Sequence, residues 1–121
     1  MNSLDQSISP SVVPAPPDRR RHPRHAIRAQ IELREDGTDV PIRMNTTDLS
    51  RGGCYVELMT TLPVGTSVTA TLWLNDRCVR AKARVVTRHP QFGNGIQFLE
   101  FEGNGQDLLT RYLDAIDAYQ A

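Results

Sequence analysis

A two-residue period that begins at Ile27 limits what this chain can fold into. Ile27, Ala29, Ile31 and Leu33 are apolar, and Arg28, Gln30, Glu32 and Arg34 between them are polar. Successive side chains of a strand point to opposite faces, so this spacing makes a strand with one buried face. The turn-forming stretch EDGTD follows, then VPIRMNTTDL and CYVELM as second and third strands, with Pro41 confined to an edge or a start because it cannot donate to a ladder. After LPVG, the segment SVTATLWL alternates Val68, Ala70, Leu72 and Leu74 against threonines and Trp73. Asn75 and Asp76 form a two-residue hairpin loop to RCVRAKARVVTR, in which Val79, Ala81, Ala83 and Val85 oppose Arg80, Lys82 and Arg84. GNGIQFLEF makes a sixth short strand after a glycine-rich turn.

The period then changes. Leu108, Leu109, Tyr112, Leu113, Ile116 and Tyr119 fall on one helical face, with Asn104 placed as N-cap and Asp107 in the first turn, where the helix dipole favours an anion. Six antiparallel strands with one-sided faces and one amphipathic helix predict an all-β fold, a small closed or nearly closed barrel over residues 27–101 with a helix over 104–120 packed on it. The chain of 121 residues fits one domain. Its first 17 residues, MNSLDQSISPSVVPAPP, mix serine with four prolines and show no period, so they are expected to form a disordered tail that cannot bury enough apolar surface to offset ordering entropy.

No apolar run approaches the roughly 18 residues of a membrane span, and the N-terminus lacks the basic start and apolar stretch of a secretory signal. The two cysteines, Cys54 and Cys78, fit neither a disulfide framework nor a metal knuckle, so a reducing, cytoplasmic setting is expected. Fourteen basic residues balance fourteen acidic ones, which argues against a whole-protein field that attracts nucleic acid or membrane. The balance hides two poles. Residues 19–31 hold five arginines and no acid, whereas residues 100–121 hold Glu100, Glu102, Asp107, Asp114 and Asp117 against Arg111 alone.

The basic pole, DRRRHPRHAIR, forms an arm over residues 18–26 that runs into the first strand. A nucleic-acid-seeking tail, a solvated arm and a clamp for one anionic ligand are its three readings. A second stretch, TDLSRGG, joins the second and third strands. Asp48 and Ser50 can shape a turn, and Gly52 or Gly53 can adopt its backbone, so a purely structural role accounts for this stretch by itself. Its chemistry nevertheless complements the arm. A carboxylate accepts two parallel hydrogen bonds, which suits the N1–H and N2 donors of guanine, while the arginine fork matches guanine O6 and N7.

RRHPR (Arg20 to Arg24) resembles the RxxxR motif of the PilZ domain family, and DLSRGG (Asp48 to Gly53) resembles its [D/N]xSxxG motif, in the family's order. GNGIQFLEF is similar to the family's last strand. The resemblance covers roughly residues 18–119 and implies a six-stranded antiparallel PilZ-like barrel that acts as a receptor for cyclic di-GMP rather than as an enzyme. It further implies that Arg20 and Arg24 grip phosphate and the Hoogsteen edge of guanine, that Asp48 and Ser50 receive guanine donors, and that Gly53 lets the ligand approach the backbone. An arginine directly before RxxxR, here Arg19, accompanies a stacked pair of ligands in this family, so two molecules per protomer are expected. Arg21, Arg51 and Gly52 are further candidate contacts. Tyr55 shares a strand face with Gly53 and is either a stacking partner for guanine or an ordinary exposed strand tyrosine.

Arms that order on binding lose about 2–5 kcal/mol and recover about 1.5–3 kcal/mol per charge-assisted contact, so several contacts are required, and the ordered arm is a signal that a partner protein can read. Motility, exopolysaccharide and adhesion are outputs associated with the family, and nothing in the sequence selects one or sets the oligomeric state. His22 and His25 have metal-like spacing but no cysteine or carboxylate nearby in sequence, so no metal is expected. Cys54 and His89 lack a nucleophile elbow, GNG is too short for a dinucleotide fingerprint, and no catalytic constellation stands out. The rival functions are a nucleic-acid-binding barrel, disfavoured by an aromatic content of 6%, and a protein-interaction adaptor that docks through its acidic helix.

Overall fold

The computed structural model describes residues 23–120, with the side chains of residues 119–120 set aside. The tail, Arg19 to His22 and the side chain of Tyr119 therefore lie outside the described residues. Six strands follow one another: β1 (Gln30–Glu35), β2 (Pro41–Leu49), β3 (Gly53–Glu57), β4 (Ser67–Leu74), β5 (Arg77–His89) and β6 (Gly93–Phe101). The helix α1 (Gly105–Gln120) comes last. The strands pair antiparallel in the order β1–β2–β3–β6–β5–β4, and β4 returns to β1, closing a barrel. Closure removes both sheet edges, which otherwise would invite pairing with other chains.

The predicted faces are the observed ones. Ile31 and Leu33 on β1, Val68, Ala70, Leu72 and Leu74 on β4, and Val79, Ala81, Ala83 and Val85 on β5 are all buried, with Val56, Ile96 and Phe98 beside them. Leu109 and Leu113 of α1 join the same core, and the helix packs against β5. The β4–β5 hairpin turns at Asn75, whose positive φ of 59° suits a two-residue loop. Two boundaries differ by more than one residue. CYVELM leaves the sheet after Glu57, because the Leu58 amide donates to the Phe92 carbonyl of the neighbouring turn and Met59 lies in solvent.

The other difference lies at Ile27, where the alternation is present but the regular ladder begins only at Gln30. Thr46 takes over for the residues before it. Its fully buried hydroxyl accepts from the Ala29 amide at 2.9 Å and donates to the Ile27 carbonyl at 2.6 Å, while its own amide donates to the Ala29 carbonyl. One side chain thus satisfies two backbone groups that would otherwise be buried without partners.

β2 carries a bulge between Thr46 and Asp48. Ile42, Met44 and Thr46 face inward on a period of two, and that period, continued, would send Asp48 into the core. With Thr47 as the extra residue the parity flips: Asp48 faces outward beside Tyr55, and Leu49 is fully buried opposite Cys54.

Thr46→Val keeps the shape and removes the hydroxyl, so it is expected to cost about 2 kcal/mol and to lower Tm by roughly 10 °C, while Thr46→Ser retains most of the stability. An unchanged Tm for Thr46→Val in thermal denaturation would contradict this role.

Candidate functional site

The chain entering β1 is fastened to the far end of β2 at His25. His25 and Leu49 exchange backbone hydrogen bonds at 2.9 Å in both directions. The His25 ring is held as well, with Nε2–H donating to Asp117 Oδ1 of α1 at 2.6 Å. Because an ionised carboxylate only accepts, this contact fixes which ring nitrogen carries the proton. The arm expected to be free up to residue 26 is therefore already docked at His25.

That docking places Arg24 over Asp48. Arg24 Nη1 donates to Asp48 Oδ2 at 3.4 Å, joining residues of the two sequence motifs across 24 positions. The second carboxylate oxygen, Asp48 Oδ1, is buried and has no hydrogen-bond partner among the described residues. An unpaired carboxylate oxygen withdrawn from solvent is costly, and a donor pair brought by a ligand would relieve that cost.

Beyond Asp48 the floor of the site is β3 and β6. Asp48 is in register with Tyr55, and Tyr55 with Gly95, so the three lie side by side across the outer face. The Tyr55 ring rests on Gly93, where a Cβ would come within 2.8 Å of the ring carbon Cε2. Its hydroxyl meets His89 Nδ1 at 2.9 Å, with the two rings tilted at 43°. The half-buried Tyr55 ring is thus pinned from below and at its tip, next to the Asp48 carboxylate.

The turn between β2 and β3 is shaped from within. The Ser50 hydroxyl accepts from the Gly52 and Gly53 amides at 3.1 and 3.2 Å, and the Ser50 amide donates to the Gly53 carbonyl at 2.8 Å. Ser50 is buried, so its side chain serves the turn. Gly53 is required by packing: a Cβ there would collide with the Ile96 carbonyl oxygen of β6. Gly52 is half-buried and accepts from the Phe98 amide at 2.9 Å through its carbonyl. At the tip of the turn, Arg51 Nη2 donates to Asp114 Oδ1 of α1 at 2.9 Å.

Of the residues singled out in the sequence, Arg24, Asp48 and Tyr55 converge on one outer face, Ser50 and Gly53 build the turn beside it, and Arg51 turns to the helix. Arg19, Arg20 and Arg21 lie outside the described residues. Sequence reasoning missed His25, His89, Asp114 and Asp117, which hold the site from outside the two motifs. Their contacts span up to 92 positions, so no local pattern announces them.

The sequence matches the family model described as the PilZ domain over residues 18–115. No curated protein matches it. Among solved structures, the chain is similar to the Bacillus subtilis inhibitor of motility MotI/DgrA, with a TM-score of 0.69 and 19% identity over 84% of this chain and 52% of that one. It is also similar to the PilZ domain of CeSA from a cellulose-synthesizing bacterium, with a TM-score of 0.61 and 19% identity over 78% of this chain and 97% of that one. The chain thus spans about half the length of MotI/DgrA, and both likenesses concern the fold. The chain belongs to the PilZ domain family, with the closed six-stranded barrel and C-terminal helix of its structural neighbours.

Asp48 also acts on the core side of its strand pair. Burial, reinforced by the Asp48 carboxylate and opposed by Arg24, pushes the Cys54 thiol well above its ordinary range, whereas Cys78 is exposed. A thiolate-selective reagent at neutral pH should therefore modify Cys78 alone in the folded protein and both thiols in denaturant. Rapid modification of Cys54 in the native state would contradict the packing around Asp48.

Proposed function

We propose that this protein is a cyclic di-GMP receptor that reads a guanine edge with Asp48 and clamps the ligand with arginines from its N-terminal arm. The observation that carries the reading is the Arg24–Asp48 pair, with Asp48 Oδ1 buried and unpartnered beside it. Guanine presents N1–H and N2–H together, so it can satisfy both carboxylate oxygens as Arg24 swings from Asp48 to O6, N7 or a phosphate. The exchange is favourable because the pair it breaks is long and partly exposed, worth about 0–1 kcal/mol, while the contacts formed are charge-assisted.

Tyr55 offers a face for the base, and Arg20 joins Arg24 on phosphate, with Arg19 accounting for a second, stacked ligand. Arg21 and Arg51 add positive charge at the rim. Family membership supports this reading, since PilZ domains in general are cyclic di-GMP receptors and some act as adaptors. No catalytic step is assigned: the role is to bind and to relay, with closure of the arm over the ligand as the change a partner protein detects. No helix among the described residues is long and apolar enough to cross a membrane. A setting in the cytoplasm, where the messenger is produced, fits the reading.

Calorimetric titration separates this function from its rivals. Cyclic di-GMP should bind and cyclic di-AMP should bind far more weakly, because adenine places an acceptor, N1, against Asp48. Arg24→Ala and Asp48→Ala should each weaken cyclic di-GMP at least tenfold, about 1.4 kcal/mol, with the thermal transition retained. Equal affinity for both dinucleotides, or no loss in either variant, would contradict the role of Asp48. Steeply salt-dependent binding of random oligonucleotides that displaces cyclic di-GMP would favour the nucleic-acid reading instead.

A further inference from the structure

The helix α1 reaches into the ligand motifs at two points. Asp117 holds His25, next to Arg24, and Asp114 holds Arg51, the residue after Ser50 in DLSRGG. The second contact bears on affinity. Arg51 stands at the tip of a turn fixed by Ser50, three residues after Asp48, so its long side chain selects the partner. That partner is the Asp114 carboxylate at 2.9 Å, in an ion pair exposed on both sides at 46% and 57%.

We infer that Asp114 is an intramolecular competitor for Arg51, occupying the guanidinium in place of a ligand phosphate and setting the affinity of the site from the helix. The inference rests on the cyclic di-GMP reading and adds to it a residue that belongs to neither motif. A phosphate oxygen and a carboxylate oxygen present the same acceptor chemistry to a guanidinium fork, so a ligand phosphate and Asp114 are alternative partners for the Arg51 Nη2 donor. Binding that recruits Arg51 must first break its bond to Asp114, and the free energy of that bond is subtracted from the affinity. Asp107 on the same helix provides the contrast: it faces Arg111 at 3.8 Å, one turn along α1, and pairs with neither motif among the described residues.

The test is a double-mutant cycle by calorimetric titration with cyclic di-GMP. Asp114→Asn should tighten binding about two- to fivefold, the fold-change to which an exposed ion pair of ~0.5–1 kcal/mol converts. Arg51→Ala should weaken binding, and Asp114→Asn should give no gain in the Arg51→Ala background, since the competitor then has nothing to hold. Asp107→Asn controls for the general field of an acidic helix and should change affinity by less than Asp114→Asn. An equal gain from Asp107→Asn, or a gain from Asp114→Asn that survives in Arg51→Ala, reduces the effect to bulk charge and overturns the competition. Unchanged affinity in Asp114→Asn with intact wild-type binding also overturns it, leaving the receptor reading in place. No binding by the wild type overturns the receptor reading itself, and the competition with it.

Discussion

The extra residue in β2 is the constraint on which the rest of the site depends. A strand repeats its orientation every two residues, so one inserted position inverts everything after it. Before the bulge, Thr46 faces inward and braces the incoming chain at Ile27 and Ala29. After it, Leu49 fills the core and Asp48 stands outside. Without the inversion a carboxylate would enter an apolar barrel, and Leu49 would be exposed at the point where His25 docks. The same irregularity serves stability and presents the residue proposed to read the ligand.

Around Asp48 the protein invests in position more than in attraction. The Arg24 contact is long and partly exposed to solvent, and pairs of that kind contribute little. What fixes the geometry is neutral: the backbone exchange between His25 and Leu49, the Ser50 turn, and the close approach of Gly53 to β6. Weak pairing on a rigid frame suits a receptor, because the charged groups can change partners without disturbing the barrel. The helix takes part through Asp117, which holds His25 of the arm, and through Asp114, which holds Arg51 of the β2–β3 turn.

Much of the barrel was legible in the sequence because burial imposes its own period. The segment SVTATLWL and the run from Arg77 give their inward faces directly, and Asn75 marks the turn between them. The proposed clamp was read from residue types, since arginines and a carboxylate–serine turn match a guanine with phosphates, and the structure brings Arg24 to Asp48. The parity of Asp48 was not legible: TTDL offers a strand reader two phases, and burial of Leu49 opposite Cys54 decides between them only after β3 is paired. The tasks of Ser50 and Gly53 were likewise hidden, because a glycine required by the Ile96 carbonyl looks in sequence like a glycine kept for a ligand. His89 and the helix carboxylates reach the site by tertiary contact alone.

The central claim is that Asp48 receives the Watson–Crick edge of a bound guanine. Proton NMR of the complex with 15N-labelled cyclic di-GMP observes that edge directly. The account predicts a guanine N1–H resonance shifted downfield and protected from solvent exchange, lost in Asp48→Ala while ligand remains bound at high concentration. A saturated complex whose guanine N1–H protons exchange as freely as those of the unbound dinucleotide would contradict it.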